Sequence, residues 1–210
     1  MHIEPGLIAP PKLAFAAVAA TGLLSFYAPR LLQQPVLLLR TGLAAVFFSL
    51  FMQAFHMQVG PSELHFLGAM PIYLAFGFVP TLFGFALGLL LQGLLFEPQD
   101  LVNLAVNTLS LAVPLLALHY TLGRRIMAEG VSRVQTILKL DGVYYAGVVV
   151  MVGFWLMLGQ KATAMSDWAS FAASYLPVVA LEPVATLGVL WLIGRARKQT
   201  WLSACFQPVV

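Results

Sequence analysis

The chain has 210 residues, 60% of them hydrophobic and only 9% charged, with a formal net charge of +3 and a mean hydropathy of +0.90. Soluble domains carry about 25% charged residues, so this composition excludes a soluble enzyme and, despite a pI of 9.2, a nucleic-acid-binding protein. A single cysteine, Cys205, excludes an internally bridged secreted scaffold. Charge-free stretches such as 101–123 and 143–159 identify a polytopic membrane protein.

A spanning helix needs about 20 mainly apolar residues, because only an internally hydrogen-bonded backbone is stable in hydrocarbon. That length predicts an all-α protein of seven transmembrane helices, over 12–29, 35–56, 64–79, 80–96, 101–122, 142–160 and 169–194. Short loops join them into one bundle over 1–198, and 199–210 is expected to be a cytoplasmic tail. The first eleven residues hold Glu4 and three prolines but no Lys or Arg. They therefore lack the basic start of a cleaved signal peptide and are expected to cross the membrane with the first helix. The apolar block 64–96 is too long for one span without severe tilt, and Gly77 and Pro80 near its middle predict a reversal. Between the fifth and sixth spans, Met127, Val131, Val134 and Leu138 form a helical stripe beside Arg124, Arg125, Arg133 and Lys139. This predicts an interfacial helix that anchors to anionic lipid or touches a partner.

Short cytoplasmic loops collect Lys and Arg. Seven spans with the amino terminus outside and the carboxyl terminus inside place Arg30, Arg40, Arg124, Arg125, Arg133, Lys139, Arg195, Arg197 and Lys198 on the cytoplasmic side. Only Lys12 and Lys161 remain outside. Treating 64–96 as one span would put the Arg124 to Lys139 cluster opposite Arg30 and Arg40 and remove the bias.

The outer face then gathers metal-type ligands: the amino terminus, His2, Glu4, His56, Glu63, His65, Glu97, Asp100 and Asp167. In Met1-His2, the terminal amine, the next amide nitrogen and the imidazole can meet one ion in adjoining chelate rings. Nitrogen-rich planar ligation suits Ni(II) or Cu(II), with Co(II) possible, and one further ligand closes the plane. His65, in the loop entering the third span, is a candidate for it. His56 is expected to be an interfacial side chain.

The opening Met1-His2-Ile3-Glu4-Pro5-Gly6 resembles the Met-His-Ile-x-x-Gly start of the CbiM/NikM-type substrate-binding membrane components of energy-coupling factor transporters, ABC-type systems that import nickel or cobalt. The block Ser62-Glu63-Leu64-His65-Phe66-Leu67-Gly68 is similar to that family's Ser-x-His-Leu-x-Gly, shifted by one residue at the serine. Gln92-Gly93-Leu94-Leu95-Phe96, the run Leu104 to Leu111 around Asn107, and Glu182 in the last helix extend the resemblance to about residue 195. Departures include Pro61 and Glu63 where small residues are usual, Ala105 for glycine, Ser110-Leu111 for Asn-Met, and Pro183 after Glu182.

The resemblance implies metal ligands from Met1, His2 and His65, with Asn107 supporting them by hydrogen bonding. It implies Ni2+ or Co2+ as the transported ion and a multi-pass protein of the bacterial inner (plasma) membrane. A transmembrane coupling subunit, paired ATPase subunits and a small accessory membrane subunit are the implied partners. This chain has no Gly-x-x-x-x-Gly-Lys-Ser/Thr sequence, so ATP hydrolysis is expected in other subunits. A stand-alone metal permease or sensor is the alternative. Glu182 lies deep in the seventh span, where a carboxylate either lines the ion path or holds helices together. Gly84 and Gly88 form a small-xxx-small pair that admits a neighbouring helix from within the bundle or from a partner.

Overall fold

A computed structural model describes residues 5–59, 62–129, 134–159, 165–196 and 203–207, together with the backbone of 2–3. The chain is mostly helical: α1 (Pro10–Gln33), α2 (Pro35–Ala54), α3 (Ala69–Phe76), α4 (Phe78–Leu95), α5 (Leu104–Leu118), α6 (Arg124–Glu129), α7 (Val134–Met157) and α8 (Met165–Ala196). Six helical stretches among the described residues are long and apolar enough to cross a membrane. Phe15, Val18 and Phe26 of α1 and Leu176, Leu181, Val184 and Trp191 of α8 point outward, as lipid-facing side chains do.

Two features depart from the seven uniform helices expected. The first is a small antiparallel sheet of β1 (His2–Ile3), β2 (His56–Val59) and β3 (Ser62–His65), in the order β1-β3-β2, so the protein is not all-α. The second is the expected span 64–79, which is the end of β3, a connection over 66–68 and the eight-residue α3. At 1.5 Å per residue, α3 is only about 12 Å long. All eight of its residues are buried. Non-helical backbone at membrane depth is tolerated when protein encloses it, and here α2, α4, α7 and α8 do so. The break lies at Gly77, whose φ of 89° belongs to the region open to glycine. Pro80 instead occupies the first turn of α4, where its missing N–H costs nothing.

Gly84 and Gly88 serve the bundle itself, against α2. A Cβ on Gly84 would lie 2.6 Å from Ala44 Cβ and 3.2 Å from the backbone carbon of Ala44. Gly84→Ala is therefore expected to lower stability by about 1–3 kcal/mol through overpacking, measured by denaturant unfolding in detergent.

The helix expected across 124–139 is divided. His119–Gly123 is a turn of π-helix that carries α5 into α6, and 134–139 opens α7. Arg133 and 130–132 lie outside the described residues. Beyond α8, residues 203–207 fold back on the bundle: Arg40 donates to Ala204 O (3.0 Å) and Phe206 O (2.8 Å), and Gln207 N donates to Ala75 O (2.7 Å). Arg30, Arg124, His119 and Gln207 line one cavity of about 460 Å³. These contacts place the basic residues Arg30, Arg40 and Arg124 at one end of the bundle. The sheet, the last turn of α4 and the 3-10 turn Pro98–Asn103 form the other.

Candidate metal centre

The hairpin follows from the sequence around Gly60-Pro61: His56, Gln58, Glu63 and His65 alternate with Met57, Val59 and Leu64, the two-residue period of a strand. Register then sorts these residues by face, because directly opposed residues share one side of a sheet. His56 pairs with His65, Gln58 with Glu63, and the His2 position with Glu63. One face thus collects His56, Gln58, Glu63 and His65, and Met57, Val59, Ser62 and Leu64 lie on the other.

His65 is buried, with Nδ1 3.4 Å from Met52 O and Nε2 3.2 Å from Glu63 Oε2. The other Glu63 oxygen, Oε1, lies 3.0 Å from His56 Nδ1. Side-chain exposure falls from 52% at His56 through 19% at Glu63 to 2% at His65, so the cluster runs from solvent into the protein. The two imidazoles stack at 5.9 Å. Glu97, in the turn after α4, has its carboxyl pushed up to about 7 by burial, a hydrogen bond with Asp100 and repulsion from Glu63 and Asp100. Glu97, Asp100 and Glu63 are therefore close enough to influence one another at this end of the bundle. No three His, Cys, Asp or Glu side chains among the described residues form a ready-made metal cage. Met1 and the His2 side chain lie outside the described residues.

The two residues expected to support the site fall in different places. Asn107 is buried in the first turn of α5, and its Oδ1 has no hydrogen-bond partner among the described residues. Glu182 is fully buried in α8, where Oε1 accepts from Met70 N at 3.0 Å and Oε2 accepts from the Tyr145 hydroxyl. Met70 is the second residue of α3, and the preceding Gly68 has no side chain with which to cap it. A helix start buried without donors' partners is costly, and a carboxylate there also matches the helix dipole. Glu182 therefore caps α3, only a few residues after His65, and ties it to α7.

His56 and Glu63 stand beside His65 in the structure, a grouping signalled in the sequence by the alternation around Gly60-Pro61. His119 belongs to the opposite end of the bundle, where it bonds Tyr73 Oη (2.8 Å) and stacks on Phe78 (4.0 Å). Gln53 Nε2 bonds Gln92 Oε1 across α2 and α4 (3.4 Å), an interhelical contact.

A bundle of membrane-length helices, with a small histidine- and carboxylate-bearing sheet at one end, defines a multi-pass membrane protein. The family model for "Cobalt uptake substrate-specific transmembrane region", CbiM, matches residues 2–200, and the chain belongs to that family. It is 26% identical over 202 residues to a Haemophilus influenzae protein named "Putative metal transport protein", with 93% of this chain and 94% of the relative covered. The crystal structure of a transition metal transporter shares the fold, with a TM-score of 0.73 at 18% identity over 96% of both chains. A truncated transition metal transporter gives 0.72 at 18% identity, covering 93% of this chain and 99% of the other.

Proposed function

We propose that this chain is the membrane component of an energy-coupling factor uptake system, and that it captures one Ni2+ or Co2+ ion at the outer end of the bundle. The Met1 amine, the His2 amide nitrogen and imidazole, and the His65 imidazole hold the ion. The observation that carries this is the β1–β3 register. It sets His2 opposite Glu63, two residues from His65, and so joins positions 63 residues apart in sequence.

In this reading the chain makes seven passes across a bacterial inner membrane, the third on β3, the connection over 66–68 and α3. The amino terminus is outside, and Arg30, Arg40 and Arg124, at the end opposite the sheet, face the cytoplasm. That distribution agrees with the positive-inside bias. ATP hydrolysis and the inward release of the ion belong to separate ATPase and coupling subunits, with an accessory membrane subunit assisting loading. Isothermal titration of the purified protein with Ni(II) and with Co(II) tests the reading. Saturable binding of one ion per chain is expected, and absence of binding for both metals would refute it.

A further inference from the structure

We infer that the cavity at the end of the bundle opposite the sheet is a binding site for a phosphate group, held by Arg30, Arg124 and His119. It is a second site, at the far end from the metal centre, and it does not depend on the capture function proposed above.

The cavity holds about 460 Å³, a volume typical of sites for small molecules and headgroups. Its charge is of one sign. Arg30 comes from the last turn of α1 and Arg124 from the start of α6, and none of the described residues that line the cavity is acidic. Neither arginine has a carboxylate partner among the described residues, whereas the neighbouring Arg125, outside the cavity, is paired with Glu129 at 2.7 Å. Both guanidiniums rest on rings instead. Arg30 lies 5.7 Å from the centre of the Tyr27 ring and Arg124 5.7 Å from that of Tyr120, and the two tyrosine hydroxyls bond each other at 2.9 Å. A ring face attracts the cation but takes up none of its strong hydrogen bonds, so the guanidinium N–H donors remain available to an oxyanion.

His119 supplies a further donor. The buried Tyr73 hydroxyl lies 2.8 Å from His119 Nδ1 and has no other hydrogen-bond partner among the described residues. Its single hydrogen is satisfied by donation to Nδ1, which leaves the ring's own hydrogen on Nε2. Stacking on Phe78 at 4.0 Å fixes the ring plane. The same residue opens the π turn His119–Gly123, a widened turn of the kind found mostly at functional sites. A Cβ on Gly123 would strike the Tyr73 hydroxyl, so glycine there lets the turn and the hydrogen bond coexist. A charge bias that orients the chain needs basic residues anywhere in the inner loops. It does not require two of them to open onto one cavity beside an imidazole fixed in this way.

Two guanidinium forks and an imidazole N–H match the several acceptor oxygens of a phosphate. Basic pockets between spanning helices recognise phospholipid headgroups. Leu37, Val79 and Met127 add apolar wall to this cavity, against which the glycerol and first methylenes of a lipid would lie. A free phosphate ion would use the polar wall alone.

The test is native mass spectrometry of the detergent-purified chain titrated with phosphatidylglycerol and, as the same chains without phosphate, with diacylglycerol. Calorimetric titration with inorganic phosphate runs alongside. Retention of one phosphatidylglycerol but no diacylglycerol supports the site with a lipid as its source. Saturable binding of inorganic phosphate supports it with the free ion as its source. Arg30→Gln and Arg124→Gln should each weaken the binding about fivefold, the equivalent of about 1 kcal/mol per basic residue. Circular dichroism checks the fold of each variant. Arg195→Gln, which removes a charge stacked on Trp191 in the last turn of α8 and outside the cavity, should bind as wild type does. Wild-type protein that binds neither probe would overturn the inference without recourse to any variant. Equal retention of diacylglycerol, unchanged binding in both arginine variants of the cavity, or an equal loss in Arg195→Gln would also overturn it.

Discussion

His65→Ala is expected to weaken Ni(II) and Co(II) binding by at least about 100-fold, because removing a ligand costs more than the 10- to 100-fold typical of losing a partner that only supports one. The effect should be specific to the metal. His65 approaches Met52 O at 3.4 Å and Glu63 at 3.2 Å and stacks on His56. The backbone pairing of β1, β3 and β2 does not depend on its side chain. Calorimetric titration reports the affinity, and circular dichroism with thermal unfolding checks that the helices remain. A variant that binds as tightly as wild type would remove His65 from the site.

The largest effect on stability is expected from Glu182→Ala. Two buried hydrogen bonds disappear, one from Met70 N and one from Tyr145, and both donors are left without a partner in the protein interior. Hydrogen bonds to charged groups contribute about 1.5–3 kcal/mol each, so a loss of about 3–5 kcal/mol is expected in denaturant unfolding. Glu182→Gln keeps an acceptor for Met70 and should be markedly milder. Metal affinity should fall in parallel with the uncapping of α3, because the connection over 66–68 is all that separates His65 from that helix. Unfolding curves for Glu182→Ala that match those of wild type would show that the carboxylate does not hold α3.

Much of this architecture is legible in the sequence, because length and hydropathy are the physics of spanning a bilayer. The runs that became α1, α2, α4, α5, α7 and α8 are long and uninterrupted by charge, and Gly77 marks the break between α3 and α4. What hydropathy cannot separate is a spanning helix from a short buried one. Residues 69–76 are as apolar as any span, yet they form two turns, enclosed by four other helices. The sheet is less visible still. Its first strand is two residues long, below any periodicity, and becomes recognisable only through its pairing with β3.

The site divides in the same way. His2 and His65 stand out because histidine is rare in a chain this apolar, and both lie within residues 2–200, which the family model matches. Glu63 looked like a departure at a position where small residues are usual, and His56 like an interfacial residue. Their juxtaposition with His65 is set by cross-strand register, a property of the fold. Glu182 was identified as a buried carboxylate, but whether it holds helices together or lines a path depends on its neighbours. Those are Met70 N and Tyr145, 112 and 37 residues away.

The central claim is that the amino terminus and His65 hold one ion together. Its most direct test is a Ni(II) titration of the protein with a free Met1 amine against the same protein with that amine acetylated. Acetylation removes the amine as a donor and changes no side chain. The account predicts that affinity falls by at least about tenfold, the lower bound for disturbing even a supporting partner of a metal site. Equal affinity in the two proteins would contradict it.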